Sequence, residues 1–101
     1  MELHMYYGEG RLRGNIGIYV VEQAEDAWDA ERLLRNATAS KEQVHRPKLV
    51  KAEPAEAEAI YDSLESADDP TRRNKVYKLG YGVSFFEFAE LRDFEAQDEE
   101  Y

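Results

Sequence analysis

The chain has no cysteine. That excludes a disulfide framework, a thiolate zinc site and a thiol nucleophile together, so packing has to hold the fold. Histidine is almost as scarce, with only His4 and His45. A Ser-His-Asp relay would need one of them beside Ser40, Ser63, Ser66 or Ser84, and none of these serines sits in a nucleophile-elbow pattern. Gly8, Gly10 and Gly14 miss the dinucleotide fingerprint, because Arg13 stands where its third glycine belongs. Asp68 and Asp69 could offer oxygens to a cation, but no EF-hand spacing follows them. The expectation is a protein with no enzymatic activity, cofactor or metal.

Long apolar runs are also missing. Nothing approaches the roughly 18 residues of a membrane span, and Glu2, Glu9, Arg11 and Arg13 interrupt the segment where a signal peptide would carry its apolar core. A soluble, cytoplasmic protein without membrane contact is expected. Base is the scarcer charge: 13 Lys and Arg stand against 22 Asp and Glu, a formal net charge of -9.

What is present suffices for one core. Of the 101 residues, 43% are hydrophobic and 12% aromatic, which fits a single domain over residues 1–96 with an acidic, frayed tail at 97–101. Leu3 to Tyr7 is short and apolar and runs into Gly8-Glu9-Gly10, read as a hairpin connection. Leu12, Ile16, Ile18 and Val20 then recur with period two, predicting a strand over 11–21. From 23 to 37 the period lengthens: Ala24, Ala27, Trp28, Ala30, Leu33, Leu34 and Ala37 form the apolar side of an amphipathic helix.

The stretch 44–51 reads as a short edge strand containing Pro47. Pro54 opens a second amphipathic helix over 54–67, with Ala57, Ile60, Tyr61, Leu64 and Ala67 as its stripe, and Asp69-Pro70 closes it. Tyr77, Leu79, Tyr81, Val83 and Phe85 alternate as a strand, and 86–94 is read as a further strand carrying Phe86, Phe88 and Phe94 on one face. The order implies an α+β fold: a mainly antiparallel sheet of about four or five strands with both helices on one face, Trp28, Leu33, Leu34, Ile60 and Leu64 turned toward it.

The charge is segregated. Residues 52–69 carry seven acids and no base, 70–81 carry four bases and no acid, and 41–51 carry four bases against one acid. Two readings follow. In the first, Glu56, Glu58, Asp62, Glu65, Asp68 and Asp69, with Tyr61 as an aromatic anchor, present carboxylates to a basic surface or groove of a partner protein, as an inhibitor or adaptor would. In the second, Arg11, Arg13, Arg46, Lys48, Arg72, Arg73, Lys75 and Lys78 track phosphate while Tyr6, Tyr7, Tyr19, Tyr77 and Tyr81 stack on single-stranded nucleic acid. The net charge disfavours the second, and no RNP-like or KH-like motif supports it. A structural protein that forms a homodimer is a third reading. In size, acidity and lack of catalytic motifs the chain looks like the small binding or inhibitory proteins of phages and other mobile elements. That likeness is one of general character and carries no residue.

Overall fold

Two two-residue loops organise the sheet. Arg13 and Gly14 have φ of 54° and 82° and join β1 (His4–Leu12) to β2 (Asn15–Ala24). Tyr81 and Gly82, at 57° and 71°, join β5 (Lys75–Gly80) to β6 (Val83–Glu87). Positive φ at both loop positions is the geometry whose twist matches paired strands. The described residues of the computed structural model are 2–65 and 75–87. Between the hairpins lie α1 (Ala27–Thr38), the two-residue strands β3 (Val44–His45) and β4 (Val50–Lys51), and α2 (Pro54–Glu65).

All pairings are antiparallel, in the order β3-β1-β2-β6-β5, with β4 also on β1. The α+β architecture expected from the sequence is the one found, with six strands in one sheet. Gly8 and Gly10, expected to turn the chain, lie inside β1 opposite Tyr19 and Gly17. They serve a close approach instead: a Cβ on Gly8 would lie 2.8 Å from the Pro47 ring, and one on Gly10 2.4 Å from the His45 carbonyl.

Alternate residues of β2 enter different cores, because side chains along a strand point to opposite faces. Tyr19 and Val21 pack with Phe85, Val83, Ala30, Leu34 and Ala37 beneath α1. Val20 packs with Met5 and Ala52, against which Ile18, Ala57, Ile60 and Leu64 rest. The two helices therefore lie on opposite faces of the sheet rather than on one. Leu34, Leu33, Ile60 and Leu64 turn inward as expected, but Trp28 is 68% exposed. The sequence stripe placed Trp28 with Ala30, yet two residues are about 200° apart on a helix, and Ala30, Leu34 and Ala37 already fill the sheet-facing side.

Helix α1 starts where Asp26 accepts the Asp29 amide at 2.8 Å while Asp29 Oδ2 accepts the Glu25 amide at 3.1 Å, a variant of the capping box. Residues 23–26, read from the sequence as the start of this helix, belong to β2 and the cap. The expected 44–51 strand is reduced to two short bridges on β1. The ends of the second predicted helix beyond 65 and the predicted strand beyond 87 fall outside the described residues.

Candidate functional site

Helix α2 is the thinly packed element. None of its residues is buried. Pro54 supplies the preset φ of a first turn, and Glu56, three residues after Glu53, accepts the Glu53 amide through Oε1 at 3.0 Å. Its other carboxylate oxygen accepts the Tyr7 hydroxyl from β1. These two contacts, the tyrosine first and the amide second, hold the Glu56 carboxyl below the ordinary glutamate range, and the same pairing pushes the Tyr7 hydroxyl up. Glu56 is thus engaged in fastening the helix, not in the outward row where the sequence placed it.

The outward row is Glu58, Asp62 and Glu65, at i, i+4 and i+7, which keeps them on one side of the helix. With Ala55, Ala59 and Tyr61 they line an open groove of about 520 Å³. The alanines recess its floor between carboxylates. Tyr61 is 39% exposed and also borders a hollow of about 460 Å³ between α2 and the start of β1, where Leu3, Met5, Ala52 and Pro54 supply apolar walls. Its hydroxyl reaches the Glu22 carbonyl at 3.4 Å, a long contact that leaves the ring at the surface. Asp68 and Asp69 lie outside the described residues.

The basic residues are not gathered onto one sheet face. Lys78, opposite Ser84, is on the α2 side, whereas Lys75, opposite Glu87, is on the α1 side. Arg11 is opposite Ile16 and His45, Arg13 is in the first turn, and Lys48 is exposed in the β3–β4 connection. Arg46 Nε donates to Thr38 Oγ1 at 2.7 Å. Arg72 and Arg73 lie outside the described residues. Of the five tyrosines considered for stacking, Tyr6 and Tyr19 are in the core and Tyr7 is tied to Glu56. Tyr77 stacks on Phe85 with ring centroids 6.4 Å apart and donates to Glu87 at 3.2 Å. Burial and the Glu87 carboxylate raise the Tyr77 hydroxyl. Tyr81, in the second turn, is exposed.

Among the described residues, no group of three or more His, Asp or Glu side chains is gathered to hold a metal ion, and no helix is long and apolar enough to cross a membrane. Sequence reasoning missed the Tyr7–Glu56 tether and the Arg46–Thr38 contact. The period-two pattern placed none of these pairs, since they depend on strand register. Comparison with family models, curated proteins and solved structures finds no match to this chain.

Proposed function

We propose that the chain is a small acidic protein-binding module, an inhibitor or adaptor, whose recognition element is the outward face of α2. The observation that carries this reading is the groove formed by Glu58, Asp62 and Glu65 over Ala55 and Ala59, on a helix none of whose residues is buried. A helix that contributes so little to the core can turn its acidic side to a partner without disturbing the sheet. Three acids within two turns produce a local negative field that steers a basic surface into register, while the desolvated contact of a stable complex falls to an aromatic group. Tyr61 has that position at the groove edge.

The test is affinity capture from a lysate with three baits: the wild-type chain, a Glu58→Lys/Asp62→Lys/Glu65→Lys variant, and Tyr61→Ala. A specific partner held by the wild type should be lost or weakened at least tenfold by the charge reversal, and its association should slow as salt rises, because exposed charges are screened beyond about 8 Å at physiological ionic strength. Tyr61→Ala should mainly speed dissociation. Capture of every specific partner at unchanged strength by the reversed helix rejects the reading.

A further inference from the structure

The hollow between α2 and the first residues of β1 combines an apolar floor with an acidic rim. Its volume is about 460 Å³, inside the range of roughly 300–1,000 Å³ typical of pockets that enclose small ligands. Strand register decides which side chains enter it. Between the pairs His4–Ala24 and Tyr6–Val21, one residue of β1, Met5, stands against two of β2, Glu22 and Gln23, so β2 bulges there. Met5 and Ala52 pack with Val20 on the α2 side of the sheet, and Ala57 rests against them. Glu22, two residues after Val20, is turned to the same side. His4 and Lys51 also border the hollow, but they are paired with Ala24 and Tyr6 of the core beneath α1, so their side chains are turned to the other face.

The carboxylates at the rim therefore have no local counter-charge. Among the described residues, no cation is within ion-pair distance of Glu22 or Glu53. The Glu53 charge helps to raise the Tyr7 hydroxyl, which packs on the α2 side, so it acts on this face of the sheet. The positive end of α2 is already met by the Glu56 carboxylate on the Glu53 amide. One wall is the Tyr61 ring, the same ring that borders the groove of Glu58, Asp62 and Glu65. Apolar walls, an open aromatic ring and two carboxylates match a long side chain that buries its stem and keeps a cationic head at the surface.

On the reading of α2 as the face for a basic partner, we infer that this hollow seats an arginine side chain of that partner, its methylene stem against Leu3, Met5 and Ala57 and its guanidinium at the Tyr61 ring and the Glu22 and Glu53 rim. A planar guanidinium stacks on an aromatic face while its edge donates to carboxylates, which the compact ammonium of lysine does less well. A purely apolar anchor would cover the rim carboxylates without pairing them, at a cost in desolvation. Tyr61 then has an acidic groove on one side and the bound guanidinium on the other.

The experiment is a ¹H–¹⁵N NMR titration of the full chain with N-acetyl-arginine methylamide and with its citrulline and norleucine counterparts, at ionic strength held constant with sodium chloride. Expected for the arginine compound are saturable shifts confined to residues 3–5, 22–23, 51–57 and 61. The citrulline compound, of nearly the same shape but uncharged, should bind about tenfold more weakly. Glu22→Gln and Glu53→Gln should each weaken arginine binding severalfold, as should Tyr61→Leu, whereas Tyr61→Phe keeps the ring and should not. Ala57→Leu fills the floor and should abolish binding. Glu53 is exposed, so its variant keeps the question answerable if Ala57→Leu disturbs packing. Shifts that do not saturate, or citrulline binding as tight as arginine, overturn the site. So does tighter binding of norleucine, which would make the hollow a seat for an apolar residue. The Glu58→Lys/Asp62→Lys/Glu65→Lys variant should still bind the arginine compound in the hollow. If it does, and lysate capture ignores the reversal, the outward-row reading falls and the arginine seat stands; if capture is lost on reversal but arginine never saturates, the arginine seat alone falls.

Discussion

Tyr7, in the middle of β1, donates its hydroxyl to Glu56 in the first turn of α2, 49 residues further along the chain. The contact ties an unburied helix to the central hairpin, and both partners respond to pH in ways that narrow its working range. The Glu56 carboxyl is held below its unfolded value, so its contribution is present above the ordinary glutamate pKa of about 4.3 and is lost as pH falls through the folded value. The Tyr7 hydroxyl is raised, so its contribution is lost as pH climbs past about 10. Tyr7→Phe should speed amide exchange throughout α2 while leaving β2 and β6 protected, and should make the acid limb of stability shallower. Unchanged exchange in α2 would show that the apolar stripe alone docks the helix.

The helix registers make a second prediction. Leu34 is 2% exposed and central to the core under α1, so Leu34→Ala should cost about 2–5 kcal/mol in urea unfolding. Trp28→Ala, although it removes the larger side chain, should change stability by no more than about 0.5 kcal/mol, because the ring is in solvent. A reversed order of these two costs would mean that α1 is rotated on the sheet.

Gly17 gives a third prediction. It lies in β2 opposite Gly10 and Glu87, and a Cβ there would be 2.3 Å from the Phe86 carbonyl oxygen and 2.7 Å from the Phe85 ring. A backbone carbonyl in the neighbouring strand cannot move without disturbing the ladder. Gly17→Ala should therefore destabilise by about 1–3 kcal/mol or more, the range for overpacking a filled core. Gly14→Ala meets nothing within 4 Å, and its cost comes only from φ of +82° in the turn. Equal costs at the two positions would contradict the close strand contact at Gly17.

These glycines also show how far the sequence could be read. The helices, the paired strands and the α+β class follow from period, and the odd-numbered Tyr77, Leu79, Val83 and Phe85 do face one side, because the register shift between Lys78 and Gly80 offsets the change of phase that the two-residue loop at Tyr81-Gly82 brings. The loop itself was not legible inside an unbroken alternating pattern. Glycine signals both a turn and a close approach, and the pattern gave no way to tell Gly8 and Gly10 from Gly14. Placing the turn at 8–10 instead of 13–14 put Leu12 in phase with Ile18 and Val20. In the fold Leu12 is under α1, whereas Val20 and Ile18 are under α2. That error also hid the placement of the helices on opposite faces. In the candidate site, the spacing of Glu58, Asp62 and Glu65 was legible, but the diversion of Glu56 to Tyr7 depends on a contact between distant segments.

Among the described residues, Tyr19 is the most enclosed aromatic. Tyr19 is fully buried, its ring is 4.8 Å from that of Phe85, and its hydroxyl donates to the Arg11 carbonyl at 2.6 Å. Burial pushes this hydroxyl up to about 12, against a smaller opposing pull from the Arg46 charge. In the unfolded chain the same group ionises near 10.0. Between these values the unfolded state has released the proton while the folded state still binds it, so stability falls as pH rises from about 10 to about 12. Tyr19→Phe removes the hydrogen bond and should cost about 0.5–1.5 kcal/mol near neutral pH. It should also flatten the alkaline limb, though not abolish it, because Tyr7 and Tyr77 are raised as well. Urea midpoints measured near neutral pH and at about pH 11 for both proteins check this. If the variant loses stability with alkali as steeply as the wild type, Tyr19 does not titrate as its burial requires, and the packing of its ring between Gly10 and Phe85 would need revision.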